Sequence, residues 1–325
     1  MKSIAQHLKL SLLVLTFTTL LSPQIIWAQS NYPNKALHFV VGFAPGGPTD
    51  VISRILAKRF SEVLGQAVIV DNKPGADSLI ATKIVSQSEP DGSNLLIASG
   101  SHSINPSLYP DSKMDPVKDF SPIGLIGDSS NFLVVNPQVP VNSVEELIAY
   151  AKKNPGKLNY ASSASTIYLQ TELFKSMANV DMTPIPYKGA GIALTALLGN
   201  EVQVSISSIV TLTQHVKSGK VRALAVTSAK RSMLAPDVPT VNEKSLPGYV
   251  ASTWYGILAA PGTPAHIVKT LSTTLNQILQ EPEVKAQLLG QGLEPIITTP
   301  EEFSKFIADD QVKWAKVVRD SHPKN

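Results

Sequence analysis

The stretch "GFAPGGPTDVISRILAKRF", Gly42 to Phe60, leaves an apolar run, turns through Pro45, Gly46 and Gly47, and enters an amphipathic segment. The run that precedes and overlaps it, Ala36 to Phe43, is short and apolar and ends at a turn, which predicts a buried strand. From Thr49 the apolar residues Val51, Ile52, Ile55, Leu56, Phe60, Val63 and Leu64 recur at helical spacing, and Gly65 supplies a C-terminal stop. A second strand follows at Ala67–Val70. A second helix is marked by Leu79, Ile80, Ile84 and Val85, and a third strand runs over Asn94–Ala98. This is a βαβαβ unit, so the strands should be parallel with the first in the middle. The two glycines of the first turn have two readings: a tight turn, or bare backbone that lets N–H groups approach an anion at a helix N-terminus. The loop alone leaves both open.

A second α/β set begins near Phe132. "NSVEELIAYAKKNPG" carries a capping box, Ser143 with Glu146, and stops at a Pro-Gly turn. Strands are predicted at Leu158–Ser162, in "MTPIPY", at Val202–Ser208 and at Val221–Ser228, with helical segments between them. A Pro-rich stretch leads to a strand at Trp254–Ala260 and three closing helices. Two such units in series predict two lobes with a crevice between them. Periodicity does not say which lobe the last strand and helices complete.

The chain has 325 residues, 43% of them hydrophobic and 16% charged, enough for two lobes with cores of their own. The net charge of +3 offers no basic field for nucleic acid. Lys2 and Lys9 precede the apolar run Leu10–Leu21, and Ala28 provides a small residue at a cut site, so residues 1–28 read as a cleaved secretory signal peptide. An uncleaved anchor is the alternative. The chain has no cysteine, which excludes disulfides and an N-terminal lipid-bearing cysteine. A diffusible periplasmic protein is expected.

In open parallel sheets, ligands bind beyond the carboxyl ends of the strands. For the first unit those loops are "APGGPTD" (Ala44–Asp50) and "SGSHSIN" (Ser99–Asn105), with "DNKPGADS" (Asp71–Ser78) after the second strand. None is a nucleotide motif, since neither G-x-G-x-x-G nor G-K-[ST] is present. The histidines, among them His38, His102, His215 and His266, show no zinc-site spacing. No G-x-S-x-G elbow exists, and Ser101 beside His102 is not a triad. His38 reads as a core histidine, and His102 as a polar loop residue rather than a base. The second unit offers Ser162, Ser163, Ser165 and Thr166, then Lys188 and Gly189, then Ser207 and Ser208. Each alone reads as a helix cap; as a set, small hydroxyl loops around one crevice favour binding over catalysis. Trp254 and Tyr255 read as core, or as a wall of the site.

The segments "YPNKALHFVVGFAPGGPTD", "LGQAVIVDNKPGA", "PDGSNLLIAS", "INPSLYP", "PGKLNYASS", "PYKG", "KVRALAVTSAKRS" and "PDVPTVNE…LPGY" resemble the periplasmic solute receptors of tripartite tricarboxylate transporters, the Bug family. The similarity runs from about Tyr32 to the last helix. It implies an α/β, two-lobed Venus flytrap fold with two parallel or mixed sheets flanked by helices. Lobe 1 would comprise residues 29–130 plus 252–325, with lobe 2, residues 131–251, inserted into it and the C-terminal helices returning to lobe 1. It further implies a monomer without cofactor, metal or catalysis. Such a receptor captures a small carboxylate or amino-acid-like solute and delivers it to integral membrane permease subunits. First-lobe contacts map to Ala44, Gly46, Gly47 and Thr49, to Ala76, Asp77 and Ser78, and to Ser99, Ser101, His102 and Ser103. Second-lobe contacts map to Ser162, Ser163, Ser165, Thr166, Lys188, Gly189, Ser207 and Ser208. A ligand-sensing receptor for a two-component system would have the same sequence features, and a secreted enzyme would need a base and nucleophile that the chain does not pair.

Two departures from the family pattern stand out. Asp77 occupies a position where the family usually has glycine, and a second carboxylate about 4 Å away would cost about 4 kcal/mol at a surface-like dielectric. Asp77 must therefore point away, pair with Lys73, or meet a cationic group on the ligand. The loop "YASSASTIYLQTELF" is shorter than usual and has no glycine, which would let Tyr168 intrude on the pocket.

Overall fold

The computed structural model describes residues 32–163, 165–187 and 189–321; the expected signal peptide and Lys188 lie outside them. The architecture is α/β, with two mixed sheets flanked by helices. The first sheet has the order β11-β4-β10-β3-β1-β2, with β1 Leu37–Val41, β2 Val68–Asn72, β3 Asn94–Ser99, β4 Ser121–Ser129, β10 Thr253–Ala259 and β11 Leu293–Pro295. The second has the order β7-β6-β8-β5-β9, with β5 Asn131–Val135, β6 Asn159–Ser162, β7 Thr183–Pro186, β8 Val204–Ser208 and β9 Arg222–Val226.

As the βαβαβ pattern requires, β1 lies between β2 and β3 and is parallel to both. The helix after it, α1 (Pro48–Leu64), starts with proline at its first position, where a missing N–H costs nothing. It ends at Gly65 in the left-handed conformation, whose N–H closes the last turn on the Ser61 carbonyl. Its stripe of Ile52, Leu56 and Phe60 is buried, and Phe60 meets Phe39 of β1 edge to face at 5.4 Å. The helices after β2 and β3 are α2 (Leu79–Ser86) and α3 (Ser101–Leu108). In the second sheet, β5 leads into α4 (Val144–Lys153), capped by the Ser143 hydroxyl on the Glu146 N–H. Then α5 (Ser165–Ala178) and α6 (Ala190–Leu198) connect the parallel strands β6, β7 and β8. Helix α7 (Ile209–Lys217) follows β8.

Strands β4, β5 and β11 were not expected from the sequence. The β4 segment "SPIGLIGDS" carries a proline and two glycines, residues that normally argue against a strand. The structure supplies the reason for Gly127: a Cβ there would drive into the Glu294 backbone of β11. The pattern was broken by close strand-to-strand approach, not by a loop.

Ser130 alone separates β4 of the first sheet from β5 of the second. The return crossing runs from β9 to β10, and the two are tied together. Thr227 N–H donates to the Asn131 carbonyl at 2.9 Å, Asn131 N–H to the Thr227 hydroxyl at 3.1 Å, and the Ser130 and Ser228 hydroxyls lie 2.8 Å apart, all buried.

The final helix, Pro300–Ser321, serves both sheets. Phe303 and Ile307 in its first half pack with Val40, Leu96 and Leu258 of the first sheet. Trp314, Val317 and Val318 in its second half belong to the core of the second, with Leu169, Phe174 and Tyr249. Between them Asp310 accepts from the Trp254 indole at 2.9 Å and pairs with Lys313 at 2.6 Å. The C-terminal helices were expected to return to lobe 1, but the last one continues into the core of the second sheet.

Candidate functional site

Strands β1, β2 and β3 are parallel, so their carboxyl ends emerge on one edge of the first sheet, and β6, β7 and β8 do the same in the second. The registers bring the two edges together. Ser129, at the carboxyl end of β4, is followed by Ser130 and then by Asn131, which pairs with Ser208 at the carboxyl end of β8. Gly292, beside β11, confirms the closeness: a Cβ on it would lie 2.8 Å from Val210, 3.8 Å from the Ser129 hydroxyl and 3.9 Å from that of Ser208.

The three first-sheet loops are knit to one another. A Cβ on Gly42, after β1, would sit 2.6 Å from the Ser78 Cα and closer still to its hydroxyl, so the turn after β2 rests directly on bare backbone. That turn holds three successive non-glycine residues at positive φ: Ala76 at 46°, Asp77 at 51° and Ser78 at 78°. Each costs about 1–2 kcal/mol relative to ordinary backbone, and such strain persists only where the surroundings over-determine it. The surroundings do so. Asn105 of α3 donates to the Asp77 carbonyl at 2.8 Å, and Thr82 donates to that of Ser78 at 2.9 Å. The Ser99 and Ser101 hydroxyls lie 3.3 Å apart. Thr49 is buried against the Tyr255 hydroxyl, and burial raises that phenol to about 12, so it stays neutral.

The first turn corrects the simple cradle. The Gly46 N–H is already taken at 2.9 Å by the Asp50 carboxylate, which also accepts from Arg54 at 2.9 Å and Asn72 at 3.0 Å. Arg54 leads in holding that carboxyl at about 2, helped by Gly46 and Asn72 against the opposing effect of burial. Gly47 N–H turns back on the Ala44 carbonyl at 3.5 Å. The two glycines therefore build a tight turn that Asp50 locks. The N–H groups of Thr49 and Asp50, in the first turn of α1, are the ones that have no partner among the described residues.

His102 is withdrawn from the site. It is buried, its Nε2–H donates to the Pro116 carbonyl at 2.9 Å, and its ring packs edge-on against Phe120 at 4.9 Å. Burial drives its pKa down to about 4, so it is neutral at physiological pH. Ser103 is fully buried, with no partner for its hydroxyl among the described residues. The whole first turn of α3, Ser101 to Asn105, is buried, which the loop reading of "SGSHSIN" did not register. Trp254 is core. Tyr168 does not intrude: it packs against the second-sheet core and its hydroxyl meets Ser321 of the final helix. Asp77 does not pair with Lys73 and forms no ion pair with any described residue.

On the second sheet, Ser162, Ser163, Thr166, Ser207 and Ser208 are half-buried and Ser165 is exposed. Their hydroxyls have no hydrogen-bond partner among the described residues, while the Ser162 carbonyl accepts from Tyr187 N–H at 2.8 Å. Gly189 has a φ of 115°, a conformation close to glycine-only, at the N-terminus of α6. Among the described residues no cluster of His, Asp or Glu could hold a metal, and no helix is long and apolar enough to cross a membrane.

Two mixed sheets joined by paired crossings, with site loops at facing strand ends, are the architecture of the two-lobed solute-binding proteins. Residues 52–322 match the tripartite tricarboxylate transporter family receptor, TctC, and the chain belongs to that family. It is 38% identical to protein BugT of Bordetella pertussis over 90% of this chain and 91% of that one. An R. palustris protein solved with adipate is 35% identical, with a TM-score of 0.73 over 89% of this chain and 97% of its own. MatC from Rhodopseudomonas palustris, with bound malate, is 30% identical, with a TM-score of 0.71 over 88% and 100%. The chain is thus a solute receptor of the Bug type, and its family and solved relatives are binding proteins.

Proposed function

We propose that this protein is a periplasmic receptor that captures a small carboxylate between its lobes and delivers it to the permease subunits of a tripartite tricarboxylate transporter, without catalysis. The observation that carries this reading is the meeting of two sets of strand ends at one crossing. One set is strained and bonded into a fixed shape around the buried Thr49, Ser78, Ser99 and Ser101; the other carries hydroxyls with no described partner. The lobes are residues 29–130 plus 252–325 and residues 131–251, with the second half of the final helix, from Trp314, reaching across into the core of the second. The single-residue crossing at Ser130 and the return at Ala251, whose N–H donates to the Thr227 carbonyl at 2.9 Å just before β10, support those limits. Adipate and malate in the solved relatives support a carboxylate.

Ala44, Gly47, Thr49, Ala76, Ser78, Ser99 and Ser101 form the fixed wall. Ser162, Ser163, Ser165, Thr166, Gly189, Ser207 and Ser208 form the closing one. A charge-assisted hydrogen bond contributes roughly 1.5–3 kcal/mol, so four on one carboxylate reach the roughly 8 kcal/mol of micromolar binding before ordering costs, with no arginine needed. Thermal-shift screening of the mature chain against mono-, di- and tricarboxylates, amino acids and aromatic acids tests this. At least one acid should raise Tm by several degrees. A flat response to every carboxylate, with a shift from a sugar or a cation, would overturn the reading.

A further inference from the structure

The carboxyl groups on and around the first-sheet loops differ in one respect. Asp50 is matched by Arg54, Asn72 and Gly46, and Asp71 by His38 at 2.6 Å. Asp77 has no ion pair with any described residue. Its backbone is pinned in the left-handed conformation, by Asn105 on its carbonyl and by the seating of Ser78 on Gly42, so the turn cannot swing the side chain away without breaking both. The side chain is half-buried and faces the Ser101 hydroxyl at the start of α3, where Ser99 is the next neighbour. It thus stands among the hydroxyls to which the first-lobe carboxylate contacts were assigned. A ligand made only of carboxylates would have to set one of them against Asp77 or leave it unmatched.

Resting on the carboxylate-receptor reading, we propose that Asp77 is a specificity-determining residue that receives an ammonium group of the solute, so that the receptor selects amine-bearing carboxylic acids over plain diacids. The Ser99 hydroxyl and the open amides at the start of α1 then take the carboxylate end, and Asp77, which already accepts from the Ser101 hydroxyl, takes the amine. An oppositely charged pair of this kind, shielded from water by lobe closure, discriminates by attraction for one class and repulsion of the other.

Calorimetric titration with two matched pairs, aspartate against succinate and glutamate against glutarate, isolates the amine on a constant carbon skeleton. The wild-type mature chain should bind the amine-bearing member of at least one pair tenfold or more tighter. Asp77→Asn should lose at least tenfold for that amino acid while binding the diacid as well as or better than before. Asparagine tolerates the left-handed backbone, and Asp77→Gly provides a second variant that removes the side chain without strain. A diacid bound within tenfold of its amine-bearing partner, or an unchanged preference in both variants, overturns the proposal. So does silence toward all four compounds. In that case binding of any other carboxylate leaves the receptor reading standing, and binding of none removes it too.

Discussion

The strand ends of the two sheets are built to opposite specifications. On the first sheet the loops after β1, β2 and β3 are locked to one another: Ser78 rests on Gly42, Asn105 holds Asp77, Asp50 holds Gly46, and Ser78, Ser99, Ser101 and Thr49 are buried. On the second sheet the serines after β6 and β8 are half-exposed, with hydroxyls that have no described partner. Under the proposed function, the difference teaches where a binding site spends its conformational freedom. A wall fixed before the ligand arrives loses little entropy on binding, while a wall of free hydroxyls gains hydrogen bonds only when it closes.

The largest break in this contrast should come from the helix that ties the two halves. Trp314 lies 3% exposed in the second-sheet core although its helix begins in the first. Trp314→Ala should cost about 3–5 kcal/mol in urea unfolding. If it is followed by separate probes on the two lobes, the second should lose stability before the first. Gly42→Ala pits a methyl group against the Ser78 backbone, and should cost about 3 kcal/mol together with ligand binding. Gly191→Ala, in α6 of the second lobe, meets nothing within 4 Å and should stabilise by about 0.5 kcal/mol. Equal effects at the two glycines would erase the contrast.

At the junction, Asp128 of β4 is half-buried, with one carboxylate oxygen fully buried and without a partner among the described residues, opposite Glu294 of β11. Burial pushes its pKa up to about 6, against the help of the Ser252 hydroxyl. The folded chain therefore holds a proton between about pH 4 and pH 6 that the unfolded chain has released. Stability conferred by this group is full below that window and lost as pH rises through it. Asp128→Asn should stabilise the protein by about 2 kcal/mol at pH 7.5, with the gain vanishing near pH 4, as read from urea melts at both values. The smallest effect is expected on the open wall. Ser162→Ala and Ser207→Ala should each change stability by no more than about 0.5 kcal/mol, because neither hydroxyl has a partner among the described residues, and should weaken only ligand binding.

Much of this was legible in the linear chain. The βαβαβ unit, the limits of α1 and the three closing helices follow from apolar period and glycine stops, because buried parallel strands and amphipathic helices write their neighbours into their own residues. The site loops were legible as glycine and hydroxyl clusters after strands. What was not legible depends on partners far away in sequence. Gly127 hides a strand because β11, more than 160 residues on, comes too close for a side chain. His102 reads as a loop residue until α3 sets its ring against Phe120 and the Pro116 carbonyl.

The sequence by itself determined the α/β class through local period, pointed to the family through motif resemblance, and marked the glycine and hydroxyl loops after the strands through spacing. Only the tertiary structure decided that Asp50 closes the first turn, that Asp77 stands without a described counter-charge, and that one helix belongs to both cores. Each of these depends on which groups meet through space, and hydrogen bonds and charge pairing act over a few ångströms however distant the residues are along the chain.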